Sequence, residues 1–183
     1  MHDWSGMRKK LEQDYLAKPL RGHIRYFATT YKHSHDQEGR VAILLDDCEI
    51  FGGNYWDPWP DDILYSHEDP DEMAKQHYEG LNQRDFYEAF HIFDTQSIQE
   101  SLCSENRIVR LFAVLDRRVG RRTLTTLRDT LSFQTPAFQK LYDIRMRAEA
   151  ESRKAQSAMT EGAGGAVFLC FKTQNILLFL IRI

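Results

Sequence analysis

Residues 106–128 read NRIVRLFAVLDRRVGRRTLTTLR, with seven arginines, one aspartate and no lysine. Ile108, Leu111, Phe112, Leu115 and Val119 recur at i, i+3, i+4, i+7 and i+11, a spacing that stacks apolar side chains on one face of a helix. Gly120 stands where a helix commonly ends in a left-handed residue, and Leu124, Leu127 and Leu131 resume the period in a second, shorter helix. The stretch therefore predicts a tight helical corner. Arg107, Arg110, Arg117 and Arg118 are expected on the side of the first helix away from its apolar face, with Arg121 and Arg122 at the corner and in the opening turn of the second. A helix start is already positive because its first N–H groups are unpaired, so two arginines there disfavour the fold unless an anion or carboxylate is near. Two readings stay open. Either these charges solvate a surface or pair internally, with Asp116 as one partner, or they bind an external anion bidentately.

Outward from this corner the helical signals dominate the second half of the chain. Ser97 and Glu100 have capping-box spacing. Thr135-Pro136 reads as an N-cap followed by proline at the first helical position, opening AFQKLYDIRMRAEAESRKA. The first half reads differently. Trp4, Met7, Leu11 and Tyr15 predict an amphipathic N-terminal helix closed by Pro19 and Gly22. HIRYFATTYK (23–32) alternates as a strand, as do Val41, Ile43 and Leu45; Asp46-Asp47 supplies turn chemistry, and Cys48 to Phe51 returns as a third strand. FYEAFHIF (86–93) is expected to be a further strand with aromatics on both faces, and Asp69-Pro70 to open a short acidic helix reaching about Gly80. The expected class is α+β, a small antiparallel meander packed with helices.

Length bounds the organisation. At 183 residues one well-cored domain is the default, taken as residues 1–150. Residues 151–183 are set apart as a C-terminal extension: the end of a helix, a Gly-rich linker (EGAGG) and two apolar runs, AVFLCFK and ILLFLIRI, that suit a β-hairpin better than a membrane span because polar residues split them. The N-terminus lacks the apolar core of a signal peptide, which points to a cytoplasmic protein. Cys48, Cys103 and Cys170 are odd in number, without a CxxC pair, so neither a disulfide framework nor a zinc site is expected.

The net charge is −3, giving no global pull toward nucleic acid or membrane. Its distribution says more. From Val41 to Ala74 there are ten acidic residues and no Lys or Arg, so the chain is bipolar, able to neutralise itself within one molecule or between copies. Gly52 to Asp62, GGNYWDPWPDD, adds Trp56 and Trp59 in a proline-broken loop, either capping the core or offering a binding patch.

Chemistry-bearing clusters are weak. His33, His35 and Asp36 form an incomplete metal pattern, more simply a loop between strands. Asp46, Asp47 and Glu49 cluster at a strand end, and carboxylates so placed can hold magnesium for a metal-dependent phosphodiesterase or nuclease, yet an aspartate turn accounts for the first two and no lysine follows Glu49. No GxSxG, Walker loop, HExxH or dinucleotide fingerprint occurs. No cofactor is expected.

The pieces WSGMRKKLE, LRGHIRYFATTY, the HDQEGR loop, SIQESL, LDRRVGRRTL and FQKLYDIRMRAE, in this order, make residues 4–150 similar to a family of small uncharacterised bacterial cytosolic proteins. That resemblance implies a stand-alone domain and supplies no activity or catalytic residues. Family members end near the RMRAEA helix, so the tail departs from the pattern. The expected function is a non-catalytic interaction protein that presents Arg110, Arg117, Arg118, Arg121 and Arg122 to an acidic protein surface or to another copy, nucleic acid being a further polyanion of the right charge. The alternative is the phosphodiesterase, with Asp46, Asp47 and Glu49 as metal ligands.

Overall fold

In a computed structural model, described here over residues 4–30, 39–54 and 83–162, three strands form one antiparallel sheet in the order β1 (Ile24–Thr30), β2 (Gly39–Leu45), β3 (Cys48–Asn54). β1 and β2 pair Ile24 with Leu45, Tyr26 with Ile43 and Ala28 with Val41. Since side chains alternate across a strand, this register gathers these residues on one face. Asp46 and Asp47 form the β2–β3 turn with φ of 49° and 64°, the doubly left-handed geometry that short-side-chain aspartates tolerate and that matches the twist of a hairpin. Between Ile43 and Leu44 the register slips by one residue, leaving Ile50 of β3 as the extra residue of a bulge.

Six α-helices are described: α1 (Trp4–Lys9), continued as a wider π-helical stretch over Lys10–Tyr15; α2 (Gln83–Thr95); α3 (Ile98–Leu102); α4 (Arg107–Leu115); α5 (Arg121–Leu127), followed by a 3₁₀ stretch over Arg128–Phe133; and α6 (Pro136–Gly162). α2 corrects the expected strand over residues 86–93. Phe86, Ala89, Phe90 and Phe93 are all buried at i, i+3, i+4 and i+7, so the 3.6-residue period prevails over the strand preference of the aromatics. Gln83 fixes the start of α2 to β1, donating from Nε2 to Thr29 O at 3.1 Å and Thr30 Oγ1 at 2.9 Å. Its side chain occupies the space that a Cβ on Gly39 would fill.

The core is an aromatic cluster between the sheet and α2 and α4. Phe86 meets Phe112 edge-on at 5.1 Å between centroids, Tyr26 lies 6.0 Å from Phe112, and Phe93 packs against both Phe112 at 5.6 Å and Tyr15 at 4.9 Å. Edge-to-face contact sets the positive rim of one ring against the negative face of the next, which orients the cluster beyond what apolar burial alone would fix. α4 is buried along most of its length, Ile108 through Leu115 with the exception of Arg110.

Several start signals appear as expected. Ser97 and Glu100 form a reciprocal capping box, and Thr135 Oγ1 accepts the Phe138 N–H at 3.3 Å ahead of Pro136. By contacts the chain divides into two units, residues 1–149 and 150–183. The expected helix over residues 69–80, the loop tryptophans Trp56 and Trp59, His33, His35 and Asp36, Cys170 and the C-terminal apolar runs lie outside the described residues. No helix among the described residues is long and apolar enough to cross a membrane.

Candidate functional site: an arginine corner

The sequence expected α4 to run to Val119 and stop at a left-handed Gly120. Instead α4 ends at Leu115, Asp116 is extended (φ −72°, ψ 139°), and Gly120 is the N-cap of α5 with φ −77° and ψ 166°. The cause is local. The Asp116 carboxylate, 1% exposed, turns back on the chain: Oδ1 accepts the Arg118 N–H at 2.6 Å, while Oδ2 accepts from Arg118 Nε at 3.0 Å and Nη2 at 2.8 Å. An aspartate that satisfies a backbone N–H two residues ahead competes with the helix and ends it. The released backbone then pairs with the segment after α1. Ala17 N donates to Leu115 O at 3.0 Å, and Arg117 N donates to Tyr15 O at 2.7 Å.

α6 closes the corner from beneath. Arg145, 3% exposed, donates from Nη1 to Leu115 O at 3.1 Å and from Nη2 to Val119 O at 3.3 Å, bracketing the turn from end to end. Burial pushes its pKa down, and Glu149, 2.9 Å away, counters that by favouring the charged form. Tyr142 donates its hydroxyl to Leu124 O at 2.7 Å, fixing α5 to the same helix. Neither residue stands out in the sequence. The available signal was that both fall on the apolar face of α6 with Phe138 and Leu141, where an arginine needs buried acceptors.

The five predicted arginines fall into two groups. Arg118 is held by Asp116, and its guanidinium lies over the rings of Tyr15 and Phe93, 4.9 and 5.4 Å from the centroids. The hydrogen bond to Asp116 raises its pKa further. Arg110 donates to the carbonyls of Ser104 and Glu105, closing the turn before α4, with its pKa lowered first by burial and then by the Arg107 charge. Arg117, Arg121 and Arg122 are exposed, as Arg118 is, but among the described residues their side chains make no hydrogen bond or ion pair. Arg128, seven residues beyond Arg121, is likewise exposed and unpaired among the described residues, roughly 10 Å farther along the helical axis at 1.5 Å per residue.

The acidic strand-end candidates are not gathered on a common point. Asp46 meets His23 Nδ1 at 2.6 Å, Asp47 meets Arg25 at 2.7 Å and Glu49 meets Arg40 at 2.5 Å. Each carboxylate thus has a separate basic partner, those of Asp46 and Asp47 at the start of β1 and that of Glu49 across the β2–β3 hairpin. Among the described residues no group of three or more His, Cys, Asp or Glu is placed to hold a metal ion.

A family model matches residues 3–146 of the 183, a span that contains the hairpin, the corner and the start of α6. The chain belongs to the SF0329 protein family. This is an uncharacterised family, and its match ends within α6, three residues before the boundary between the two contact units. No curated protein and no solved structure matches the chain.

Proposed function

We propose that this SF0329 family protein is a non-catalytic interaction protein whose arginine corner engages an acidic protein surface. The observation that carries the reading is the exposure of Arg117, Arg121 and Arg122 around Gly120, unpaired within a turn whose backbone is fixed by Asp116, Arg118, Arg145 and the Tyr15 carbonyl. A fixed turn presents the three side chains within six residues of sequence, with less ordering cost on binding than a loose loop would incur. Arginine suits the role because its planar fork pairs with carboxylates bidentately. The scaffold arginines Arg110 and Arg118 support the surface without joining it.

The test is a calorimetric titration of the full chain with a decaglutamate peptide, comparing the natural protein with the R117E/R121E/R122E variant. Binding by the natural protein that weakens with added salt and is lost in the variant supports the reading. Absence of binding at low salt, or equal binding by both proteins, refutes it.

A further inference from the structure

From the unpaired corner and the charge asymmetry of the chain we infer that the occupant of the arginine corner is the acidic stretch 57–72 of a second copy of this protein, an inference that rests on the corner being a carboxylate-binding surface. DPWPDDILYSHEDPDE carries seven acidic residues and no Lys or Arg, with Trp56 immediately before it and Trp59 within it. Its charge complements a corner where Arg117, Arg121, Arg122 and Arg128 are all exposed and unpaired. The chemistry matches at the level of groups as well. Carboxylates take the guanidinium forks, and tryptophan faces are the best aromatic partners for arginine.

The other acidic groups near the sheet are already engaged, since Asp46, Asp47 and Glu49 each hold a basic partner of the same chain. Single exposed carboxylates such as Asp14, Asp129 and Asp143 remain, but the acidic run that follows β3 concentrates seven within sixteen residues. Reciprocal exchange, each copy's stretch on the other's corner, closes a twofold dimer rather than an open chain. Contacts that are charged and exposed give a weak, salt-sensitive dimer.

The experiment is sedimentation of the full chain over a range of concentrations, at low salt and at high salt. The natural protein is expected to dimerise at low salt and dissociate at high salt. R121E/R122E and D61K/D62K are each expected to weaken the dimer at least about tenfold, and an equimolar mixture of the two restores association because the reversed charges match across the heterodimer. A natural protein that stays monomeric, variants that associate as it does, or a mixture that fails to recover association overturns the inference. A synthetic peptide of residues 55–74 provides a readout independent of variant folding: it binds the natural chain and not R121E/R122E, and failure to bind the natural chain overturns the inference. So does a fluorescein-labelled oligothymidine that binds the same arginines more tightly than the peptide, which would assign the corner to nucleic acid. Decaglutamate binding separates the two levels, since its persistence in a monomeric protein leaves the carboxylate-binding surface standing and removes only the second copy.

Discussion

Replacing Asp116 with alanine removes the acceptor of three hydrogen bonds at once, from the Arg118 N–H and from two positions on its guanidinium. Arg118 is about a third exposed and can recover water, so the cost is set by the lost charge-assisted bonds rather than by a stranded ion. D116A is expected to lower the unfolding free energy by about 2 kcal/mol in urea denaturation. Arg145→Met at the same turn leaves Leu115 O and Val119 O without the donor that bridges them, with an expected loss of about 2 kcal/mol. A residue-scale pH dependence arises at Asp94, which accepts from Lys10 Nζ at 2.7 Å and from the Tyr15 hydroxyl at 2.6 Å. Partial burial raises its pKa, but these hydrogen bonds outweigh burial and hold it below the ordinary value. A carboxyl depressed in the folded state stabilises the fold above its unfolded pKa of about 3.9 and loses that contribution as the pH falls through the folded value. Asp94→Asn should flatten the acid limb of stability against pH below about 4. Tyr15 works in the opposite direction: burial and the Asp94 hydrogen bond raise its pKa to about 12. Its contribution is complete below the unfolded value of about 10 and is lost as the pH rises through about 12.

Elements show where pattern reading succeeds and where it fails. The β1–β2–β3 meander was legible because strict alternation and an aspartate pair specify a hairpin locally. The capping box at Ser97 and the Thr135-Pro136 start of α6 were legible for the same reason, each being complete within four residues. FYEAFHIF was misread because its aromatic residues favour strands, while Phe86, Phe90 and Phe93 stand at the i, i+4, i+7 spacing that identifies α2, completed by Ala89 as a core position. The end of α4 was misread because the decisive events are tertiary: the N-terminal segment takes Leu115 O, and Arg145 approaches from α6, 30 positions away. Gly120 tests the corrected view. Its backbone has ordinary extended N-cap angles and no atom lies within 4 Å of a built Cβ, so Gly120→Ser is tolerated and is expected to add roughly 0.5 kcal/mol by capping α5. A left-handed glycine would instead make the same change destabilising, and thermal denaturation decides between them.

At the scale of the molecule, what the sequence shows is an excess of cationic charge at one place. Composition located that excess in residues 106–128 but could not show that Arg118 answers Asp116 and Arg110 answers two carbonyls, because those partnerships depend on where α4 stops. The central claim is therefore a division of labour, with Arg110, Arg118 and Arg145 building the corner and Arg117, Arg121 and Arg122 facing a partner. Nitrogen-15 NMR of the arginine side-chain Nε groups during a decaglutamate titration, at slightly acid pH where their exchange is slow enough to observe, tests it most directly. The account predicts that the Nε resonances of Arg117, Arg121 and Arg122 shift together and saturate, while those of Arg110, Arg118 and Arg145 stay in place. Shifts spread evenly over all arginines, or confined to residues outside the corner, would contradict it.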